Sequence, residues 1–430
     1  MHYFSTRRNS PSATFREAVE LGQAPDGGLF FPSEIPKLST EFLSSLDTRS
    51  NDEIAFEIMR PYVGGEIRDE ELFDICAASI DFPFPMVAVT GRISALELFH
   101  GPTLAFKDVG ARFMSRCLSY FSVERQRKAL IIVATSGDTG GAVAAGFEAI
   151  DGVEVVILFP KGRVSGFQER QLTQVRDNVT TLEVRGTFDE CQALAKRALG
   201  DPELRRLSFV TSANSINVAR WLPQQFYYAF ALKGYGFDHP VFSVPSGNFG
   251  NIGAGLLVRA SGLPIGRLIA ACNANDTVPK FFRTGNFEPR PSVPTLSSAM
   301  DVGDPSNFPR VLEIFEQNLS ELKSVVTPAT VSDFETVGTI KQVFAACGYV
   351  LDPHGAVAFR ALSNFLAEES GQHGIFLETA HPVKFEAITE ILGNYGVAPA
   401  NIAETPGAAK SVTEIDPEYE QLREIIRSLI

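Results

Sequence analysis

The chain contains few cysteines, and they are not spaced for a shared metal ion or a disulfide framework. Five cysteines occur among 430 residues, and no two form a C-x-x-C pair. A zinc site needs clustered ligands, and a small secreted scaffold needs a dense set of paired cysteines. An odd, dispersed set is typical of reduced thiols in a cytoplasmic protein, and we expect no metal site. The five residues are Cys76, Cys117, Cys191, Cys272 and Cys347.

The chain also lacks a block of positive charge and a long apolar run. Its 38 lysines and arginines are outnumbered by 51 aspartates and glutamates, which gives a net charge of −13. Binding to nucleic-acid phosphates requires a basic face, so the composition argues against a nucleic-acid partner. No apolar run approaches membrane-spanning length, and the first residues carry no signal-segment pattern. We therefore expect no membrane partner and a soluble, cytoplasmic protein.

The chain is long and apolar enough for two or three domains with a large buried core. Apolar residues make up 44% of it and charged residues 21%, which are ordinary values for a globular protein. In the first eighty or so residues, apolar positions recur at helical spacing, and Thr14 and Glu17 have the spacing of a capping box. This part of the sequence predicts a mostly helical N-terminal module.

From about residue 80 onward, short apolar strands alternate with amphipathic helices. The segment Ala129–Ala134 is apolar throughout, as expected for a strand that is buried on both faces of a parallel sheet. The alternation predicts open α/β sheets that bind ligands at the carboxyl ends of their strands. The segment 277–309 is rich in Pro, Asn and Ser and predicts a surface excursion. Further strands are predicted at 153–159, 179–184, 207–211, 241–244, 268–272 and 375–377, and helices at 141–147, 166–175 and 188–199.

One lysine, Lys107, lies at the end of the segment Phe-His-Gly-Pro-Thr-Leu-Ala-Phe-Lys-Asp, residues 99–108. It follows a turn-prone Gly-Pro pair and an apolar run, and it precedes a helical pattern. Burial against apolar neighbours disfavours an ammonium and lowers a lysine pKa, which would let the amine bond to a carbonyl group. An isolated lysine in such a window is most often an ordinary surface residue, so its interpretation depends on other segments.

Two strand-to-helix turns carry small residues and unpaired amides. The turn 134–142 reads Ala-Thr-Ser-Gly-Asp-Thr-Gly-Gly-Ala. Its amides and helix dipole favour a carboxylate, although a tight turn capped by Asp or Thr would show the same pattern. The turn 244–255 reads Val-Pro-Ser-Gly-Asn-Phe-Gly-Asn-Ile-Gly-Ala-Gly and predicts an amide nest for a phosphate. Its glycine spacing differs from the dinucleotide pattern G-x-G-x-x-G, and no Walker lysine follows it.

The lysine segment closely resembles the pyridoxal 5′-phosphate (PLP) lysine segment of the threonine synthases, which are fold-type II PLP enzymes. The turn 244–255 and the segments 212–217 and 377–385 resemble the same family, so that the resemblance extends from about Tyr3 to about Tyr395. It implies that Lys107 bonds covalently to PLP and that Thr379 lies beside the pyridine nitrogen. It also implies that the cofactor phosphate is bound by Gly247, Asn248, Phe249, Gly250 and Asn251.

The resemblance also implies that the first of the two turns holds the α-carboxylate of an amino-acid substrate. Most fold-type II enzymes have an asparagine where this chain has Asp138, so the partner of the ring hydroxyl stays open. A leaving phosphate requires a second anion site, for which Arg112 and Arg220 are candidates. His381 and His354 are alternatives as general bases, but a lone histidine is commonly structural. The candidate substrate-binding residues are Ser136, Gly137, Asp138, Thr139, Arg112, Asn217 and Arg220.

The expected fold is that of a fold-type II PLP enzyme, with two open, mostly parallel α/β sheet domains and an N-terminal helical module. We expect the module in residues 1–88, a large PLP-binding domain in 89–115 and 215–430, and a small α/β domain in 116–214. The implied activity is that of a carbon–oxygen lyase acting on phosphates, which converts O-phospho-L-homoserine and water to L-threonine and phosphate. The enzyme alternative is a β-eliminating dehydratase or phospholyase of the same fold. A catalytically silent binding protein and a nucleotide-binding protein are less favoured.

Overall fold

The computed structural model describes residues 1–125, 128–135, 137–369, 371–393 and 411–430, so the candidate residue Ser136 lies outside the described residues. Within these ranges the strands are β1 (His2–Ser5), β2 (Ala13–Thr14), β3 (Phe30–Pro32), β4 (Met86–Ala88), β5 (Ile93–Glu97), β6 (Ala129–Ala134), β7 (Val153–Pro160), β8 (Val179–Val184), β9 (Phe209–Thr211), β10 (Val241–Pro245), β11 (Leu268–Cys272), β12 (Val326–Thr330), β13 (Gly374–Glu378) and β14 (Thr413–Ile415).

Helices connect these strands and cover their faces. The α-helices in the described ranges are α1 (Phe15–Leu21), α2 (Thr40–Ser44), α3 (Asn51–Val63), α4 (Asp69–Ser79), α5 (Lys107–Arg125), α6 (Asp138–Gly146), α7 (Gly166–Thr173), α8 (Phe188–Gly200), α9 (Pro202–Leu207), α10 (Val218–Trp221), α11 (Phe226–Leu232), α12 (Gly250–Ala260), α13 (Thr277–Thr284), α14 (Phe308–Ile314), α15 (Leu319–Val325), α16 (Asp333–Cys347), α17 (Pro353–Glu368), α18 (Glu386–Leu392) and α19 (Tyr419–Leu429). Short 3₁₀ helices lie at Leu46–Thr48, Leu222–Gln225, Ser298–Met300 and Pro382–Lys384.

The larger sheet of the described chain has the strand order β12-β11-β10-β13-β5-β4. All of its neighbouring strands run parallel except β4, which pairs antiparallel to β5 at one edge. Strands β11 and β13 are buried along their whole length, as the apolar sequences at 268–272 and 375–377 predict, and β13 ends in the buried Glu378. Because parallel strands end at the same edge, the loops after β10 and β13 open side by side there.

The smaller sheet of the described chain has the order β14-β8-β7-β6-β9, and all of its pairs are parallel. Helix α5 leads from the larger sheet to β6, so Lys107 lies where the two sheets meet. The C-terminal strand β14 is an edge strand of this smaller sheet, and helix α19 packs against it. The sequence analysis had instead assigned all of residues 215–430 to the larger domain. The physical reason is burial, since Leu422 and Ile426 of α19 pack in one core with Leu130 and Leu182.

The N-terminal module contains the expected helices and also a small antiparallel sheet of order β2-β1-β3. The capping box at the start of α1 is present, because Thr14 accepts a hydrogen bond from the Glu17 amide and Glu17 accepts one from the Thr14 amide. The Tyr3 hydroxyl donates to the Tyr62 carbonyl at 2.7 Å and links β1 to α3. Helices still predominate in the module, as expected, and the small sheet is an addition that the sequence analysis did not predict.

The segment 277–309 is not wholly a surface excursion. It begins with α13, whose Val278, Phe281 and Phe282 are buried in the largest core cluster. Phe287 stacks on Phe308 with ring centroids 5.3 Å apart, and Phe308 is itself buried in the same core cluster. Aromatic burial outweighs the loop-forming composition here.

None of the helices in the described ranges is both long and apolar enough to cross a membrane.

Candidate active site

Lys107 is the first residue of α5 and lies at the carboxyl end of β13. The loop before it is attached to the segment after β13, because the Phe106 amide donates to the Thr379 carbonyl at 2.9 Å and the His381 amide donates to the Leu104 carbonyl at 3.1 Å. These bonds bring two predicted cofactor-binding residues, Lys107 and Thr379, to one edge of the larger sheet. Their adjacency supports the interpretation of both segments.

The lysine loop is held by buried polar contacts and one unusual backbone angle. Leu104 has a φ of 58°, a left-handed conformation that a branched residue rarely adopts without support from its surroundings. The Thr103 amide and hydroxyl donate to the two oxygens of Asp108, at 2.9 and 2.5 Å, and burial raises the pKa of the Asp108 carboxyl. The Tyr227 hydroxyl donates to the Phe106 carbonyl. These contacts fix the direction in which α5 begins.

The Asp138 carboxylate of α6 faces two lysines. Its Oδ1 lies 2.7 Å from Lys384 Nζ, its Oδ2 lies 3.9 Å from Lys107 Nζ, and the Gln168 amide donates to Oδ1 at 2.9 Å. Burial by itself would raise the pKa of Asp138, but Lys384 and Lys107 hold it below its ordinary range. Burial lowers the pKa of Lys107; Asp138 opposes this effect, and Lys384 and Arg220 add to it. A lysine with a lowered pKa is suited to covalent chemistry.

The turn before α6 leaves backbone amides available to an anion. The Thr135 hydroxyl accepts hydrogen bonds from the Gly137 and Gly140 amides at 3.0 and 2.9 Å, which fastens the turn. Gly137 has a φ of 141°, a conformation that favours glycine, and no side chain caps the helix. The amides of Asp138 and the half-buried Thr139 are in the first helical turn, where partial positive charge concentrates. This geometry suits a substrate carboxylate.

The turn between β10 and α12 has the features of a phosphate cradle. Phe249 is the residue before the helix and has a φ of 61°, and no side chain caps α12. Asn248 fixes the turn through its side chain, which donates to Ser215 Oγ at 2.9 Å and accepts from the Ser306 amide at 2.6 Å. A Cβ built on Gly247 would lie 2.5 Å from Met300 Cα, so only glycine allows this close approach. The first amides of α12 remain available to an anion.

Asn251 supplies a further donor in the same turn. Its Oδ1 accepts from the Tyr228 hydroxyl at 2.8 Å, while its buried Nδ2 has no hydrogen-bond partner in the part of the chain that the structure describes. A buried amide donor without a partner costs free energy unless a ligand accepts from it. The five predicted phosphate-binding residues therefore form one turn with unsatisfied donors.

A buried arginine that the sequence analysis did not single out lies behind this turn. Arg310 is fully buried; its Nη1 donates to Asn307 Oδ1 at 2.9 Å and its Nη2 to the Ile216 carbonyl at 2.6 Å. Its guanidinium carbon lies 4.4 Å from the Trp221 ring centroid, and the Trp221 indole donates to the Gly250 carbonyl. Burial lowers the pKa of Arg310 to about 9. No local pattern in the sequence identifies this cation.

The two arginines proposed for a second anion site lie in different surroundings. Arg220 is buried on α10; its Nη1 donates to the Ala213 carbonyl, while its Nε has no partner among the described residues. Burial lowers the pKa of Arg220 to about 10. Arg112 donates to the Ala78 carbonyl at 3.0 and 2.7 Å and pairs with Asp81 at 2.5 Å. Arg220 is the better candidate, because it retains a free buried donor and lies close enough to Lys107 to lower its pKa.

Asn217 is placed at the start of α10, and its side chain is engaged by the protein. It accepts from the Ala219 amide at 3.0 Å and donates to the Val19 carbonyl at 2.8 Å. These contacts join the N-terminal module to the loop after β9. Its assignment to substrate stays a prediction.

Both histidines considered as general bases hold structural hydrogen bonds. His354 Nδ1 lies 2.6 Å from Asp352 Oδ1, and its Nε2 accepts from the Ala299 amide at 3.1 Å. His381 Nδ1 accepts from the Val383 amide at 3.1 Å, and burial lowers the pKa of His381 to about 4. With both ring nitrogens engaged, His354 is poorly placed to accept a substrate proton, and the Nδ1 lone pair of His381 is already used by the protein.

A buried acidic pair lies directly beneath Thr379. Glu378 Oε1 accepts from the Asp352 amide at 2.6 Å, while Glu378 Oε2 and Asp352 Oδ2 have no hydrogen-bond partner among the described residues. Burial raises the pKa of Glu378 well above its ordinary value, and the neighbouring Asp352 adds to the effect. Thr379 is itself 7% exposed, and its hydroxyl has no hydrogen-bond partner within the described ranges. That hydroxyl is therefore available to a ring nitrogen.

The donor set matches PLP part by part. A buried lysine with a lowered pKa fits the aldehyde, a neutral hydroxyl fits the pyridine nitrogen, and an uncapped helix start with a spare amide donor fits the phosphate. The residues that the sequence analysis missed, Lys384, Gln168 and Arg310, all act through contacts with residues far away in the chain. The only sequence signal for Lys384 is its place in the conspicuous segment 377–385.

Comparison with known proteins agrees with this geometry. The family model described as "Pyridoxal-phosphate dependent enzyme" matches residues 90–375. The models described as "Threonine synthase N terminus" and "Threonine synthase, C-terminal" match residues 2–80 and 355–426.

Relatives and solved structures match over nearly the whole chain. The threonine synthase of Haemophilus influenzae is 42% identical over 427 residues, which cover 98% of this chain and 99% of the relative. The crystal structure of threonine synthase from Escherichia coli is 39% identical, with a TM-score of 0.91 and complete coverage of both chains. The PLP-bound threonine synthase from Brucella melitensis is 35% identical, with a TM-score of 0.93 and coverage of 100% of this chain and 99% of that one. Taken with the lysine, the two turns and the mostly parallel sheets, these matches show that the chain belongs to the threonine synthase family of PLP-dependent lyases.

Proposed function

We propose that this chain converts O-phospho-L-homoserine and water to L-threonine and phosphate. The observation that carries the proposal is that Lys107 lies beside the uncapped start of α6 and follows a loop joined to the end of β13, while the uncapped start of α12 follows the neighbouring parallel strand β10. One helix start serves the cofactor phosphate and the other the substrate carboxylate, as helix N-termini favour anions. The substrate chemistry comes from the family, and the site geometry supports it.

The cofactor-binding roles follow from the contacts of each residue. Lys107 would bond to the cofactor, Thr379 would contact the pyridine nitrogen, and residues 247–251 would bind the phosphate through amides. When bound, PLP supplies an electron sink for the carbon–hydrogen bonds that the reaction breaks. A neutral hydroxyl at the ring nitrogen stabilises positive charge there less than a carboxylate would, so proton transfer by the protein must contribute more.

Lys107 is the residue best placed to move substrate protons. Burial lowers the pKa of its amine, which favours the neutral form that can act as a base. We propose that it takes the proton from the α-carbon, and that the amides of Asp138 and Thr139 hold the α-carboxylate while it does so. Gly137 contributes through its backbone conformation, since its amide donates to the Thr135 hydroxyl. The free Nε of Arg220 is the proposed donor to the leaving phosphate.

The test is phosphate release from O-phospho-L-homoserine by the PLP-loaded enzyme, with identification of the amino-acid product. We expect threonine; a ketoacid would instead indicate a β-eliminating lyase. Lys107→Ala should abolish turnover and the attachment of PLP by borohydride reduction. Lys128→Ala, which changes an exposed lysine paired with Glu154, should leave both unchanged. Reduction that labels another lysine in the Lys107→Ala protein would refute the cofactor assignment.

We also propose that the enzyme acts in the cytoplasm on this small molecule. All five cysteines are free, and Cys76, Cys117, Cys191 and Cys272 are buried. Free thiols of this kind are typical of a reducing compartment. We further propose that the chain is divided into a large PLP-binding domain, a small domain and an N-terminal module. In this division residues 413–429 belong to the small domain. Limited proteolysis at the domain junctions would test it.

A further inference from the structure

A fully buried lysine and a partly buried one share one buried carboxylate beside the cofactor-binding position. Asp138 Oδ1 lies 2.7 Å from Lys384 Nζ, whereas Asp138 Oδ2 lies 3.9 Å from Lys107 Nζ. The side chain of Lys384 is completely buried, that of Lys107 is 18% exposed, and that of Asp138 is 4% exposed. The carboxylate of Asp138 is therefore bound more closely by Lys384 than by Lys107, the lysine that we propose bonds to PLP.

The ammonium of Lys384 has two close oxygen acceptors, the Asp138 carboxylate and a backbone carbonyl, whereas that of Lys107 has no acceptor as close among the described residues. The Lys384 ammonium also donates to the Thr103 carbonyl at 2.8 Å, and the same carbonyl accepts from the Gln171 amide at 3.1 Å. Gln168 donates to the Asp138 oxygen that faces Lys384. A buried ammonium persists when a carboxylate and a carbonyl satisfy it, whereas Lys107 Nζ has the longer contact with Asp138 and lies 5.7 Å from the Phe106 ring centroid.

The charges that face Lys107 come from three elements. Asp138 at the start of α6 attracts its proton, while Lys384 after β13 and Arg220 on α10 repel it. Asp108, the next residue of α5, faces Lys384 and accepts from Thr103. Two cations and one carboxylate thus act on Lys107 in a desolvated position, and together these surroundings lower its pKa.

Without Lys384, the same site would favour a protonated Lys107. An aspartate beside a lone buried lysine forms an ion pair with it and stabilises the ammonium. A second cation bound to the aspartate weakens this stabilisation and adds repulsion, which is a recognised way to activate an amine. Helix α6 belongs to the smaller sheet and Lys384 follows a strand of the larger one, so the ion pair also ties the two sheets together at the lysine.

We propose that Lys384 is a positioning residue that neutralises Asp138 and so allows Lys107 to give its proton to solvent water before it reacts. The proposal rests on the proposed function only in taking Lys107 as the residue that bonds to PLP. It assigns a role to Lys384 that acts through Asp138, with no contact to substrate required. It predicts that the charge of residue 384 controls the pH at which Lys107 becomes a nucleophile.

The test follows covalent attachment of PLP to the apoprotein as a function of pH. Samples are reduced with borohydride at each pH, and attachment at Lys107 is measured by mass spectrometry. Lys384→Met should move the midpoint to higher pH by about one unit, which corresponds to about tenfold slower attachment at neutral pH. Lys384→Arg keeps the charge and should keep the wild-type midpoint. Lys161→Met, which changes an exposed lysine paired with Glu414, is the matched control and should have no effect.

A third variant keeps the proposal testable if Lys384→Met does not fold. Asp138→Asn removes the carboxylate that attracts the Lys107 proton, so it should move the midpoint to lower pH. An unchanged midpoint in folded Lys384→Met, an equal shift in Lys384→Arg, or an upward shift in Asp138→Asn would each overturn the proposal. If the wild-type chain attaches no PLP at Lys107 at any pH, the proposed function fails first and this inference fails with it.

Discussion

A substitution at Gly247 tests whether the turn after β10 binds the cofactor phosphate. A Cβ on Gly247 would lie 2.5 Å from Met300 Cα and 3.0 Å from the Met300 carbonyl carbon and oxygen. These are backbone atoms, so no side-chain rotation relieves the contact. An ordinary contact needs about 3.4 Å or more, and Gly247→Ala must therefore displace the turn or the facing loop by roughly 1 Å, at a cost typical of overpacking, about 1–3 kcal/mol.

The displacement should reduce PLP affinity, because the amides of this turn must converge on one phosphate. A hydrogen bond to a charged group contributes about 1.5–3 kcal/mol. Misplacing one such amide should therefore weaken PLP binding by about ten- to a hundredfold. Affinity is measured by absorbance titration of the apoprotein with PLP, and folding stability by denaturant unfolding without PLP.

Two further glycine substitutions separate the local effect from a general one. A Cβ on Gly250 would lie 3.5 Å from the Asn307 side-chain amide, which is ordinary contact, so Gly250→Val should fold yet bind PLP more weakly, because the side chain intrudes where the phosphate approaches. Gly338→Ala on α16 meets no atom within 4 Å and should leave PLP affinity unchanged while stabilising the helix by about 0.5–1 kcal/mol. Wild-type PLP affinity in folded Gly247→Ala and Gly250→Val would refute the assignment of the turn.

Three other variants test the remainder of the site. Thr379→Asp should place a carboxylate at the ring nitrogen, lower threonine formation and increase transamination product or long-wavelength absorption; normal partitioning between products would exclude Thr379 as the ring partner. Because burial raises the pKa of Glu378 in the folded chain, the native state retains a proton that the unfolded state loses above about pH 4.3, and stability should fall as pH rises from there. Glu378→Gln should remove that fall in stability, as measured by denaturant unfolding, and an unchanged pH slope would contradict the raised pKa of Glu378. Arg310→Gln should weaken PLP binding by about tenfold but leave pyridoxal binding nearly unchanged, since only PLP carries the phosphate that compensates this buried cation; equal losses for both ligands would indicate a purely structural role.

Much of the local structure could be predicted from the sequence, because it depends on neighbouring residues. The continuous apolar runs of β6 and β11 identify strands buried on both faces, and the structure has them at the expected residues, Ala129–Ala134 and Leu268–Cys272. The glycine turns and the lysine segment could also be predicted from the sequence, since tight turns and amide nests need particular residues in consecutive positions. The strand expected at 207–211 was too long, because residues up to Leu207 form α9 and strand pairing begins at Phe209.

Tertiary structure alone decided how the charges of the site are paired. Lys384 and Asp138 are far apart in the chain, as are Arg310 and the carbonyl of Ile216, and no local spacing relates the members of either pair. The C-terminal strand β14 pairs with β8, a long-range contact that the sequence order of the domains does not indicate. Burial in the folded chain determines which charges are desolvated and which partners they meet, and this sets the pKa of Lys107. The sequence thus determined which residues can perform the chemistry, whereas the packing of the two sheets against each other determined their protonation and their distances.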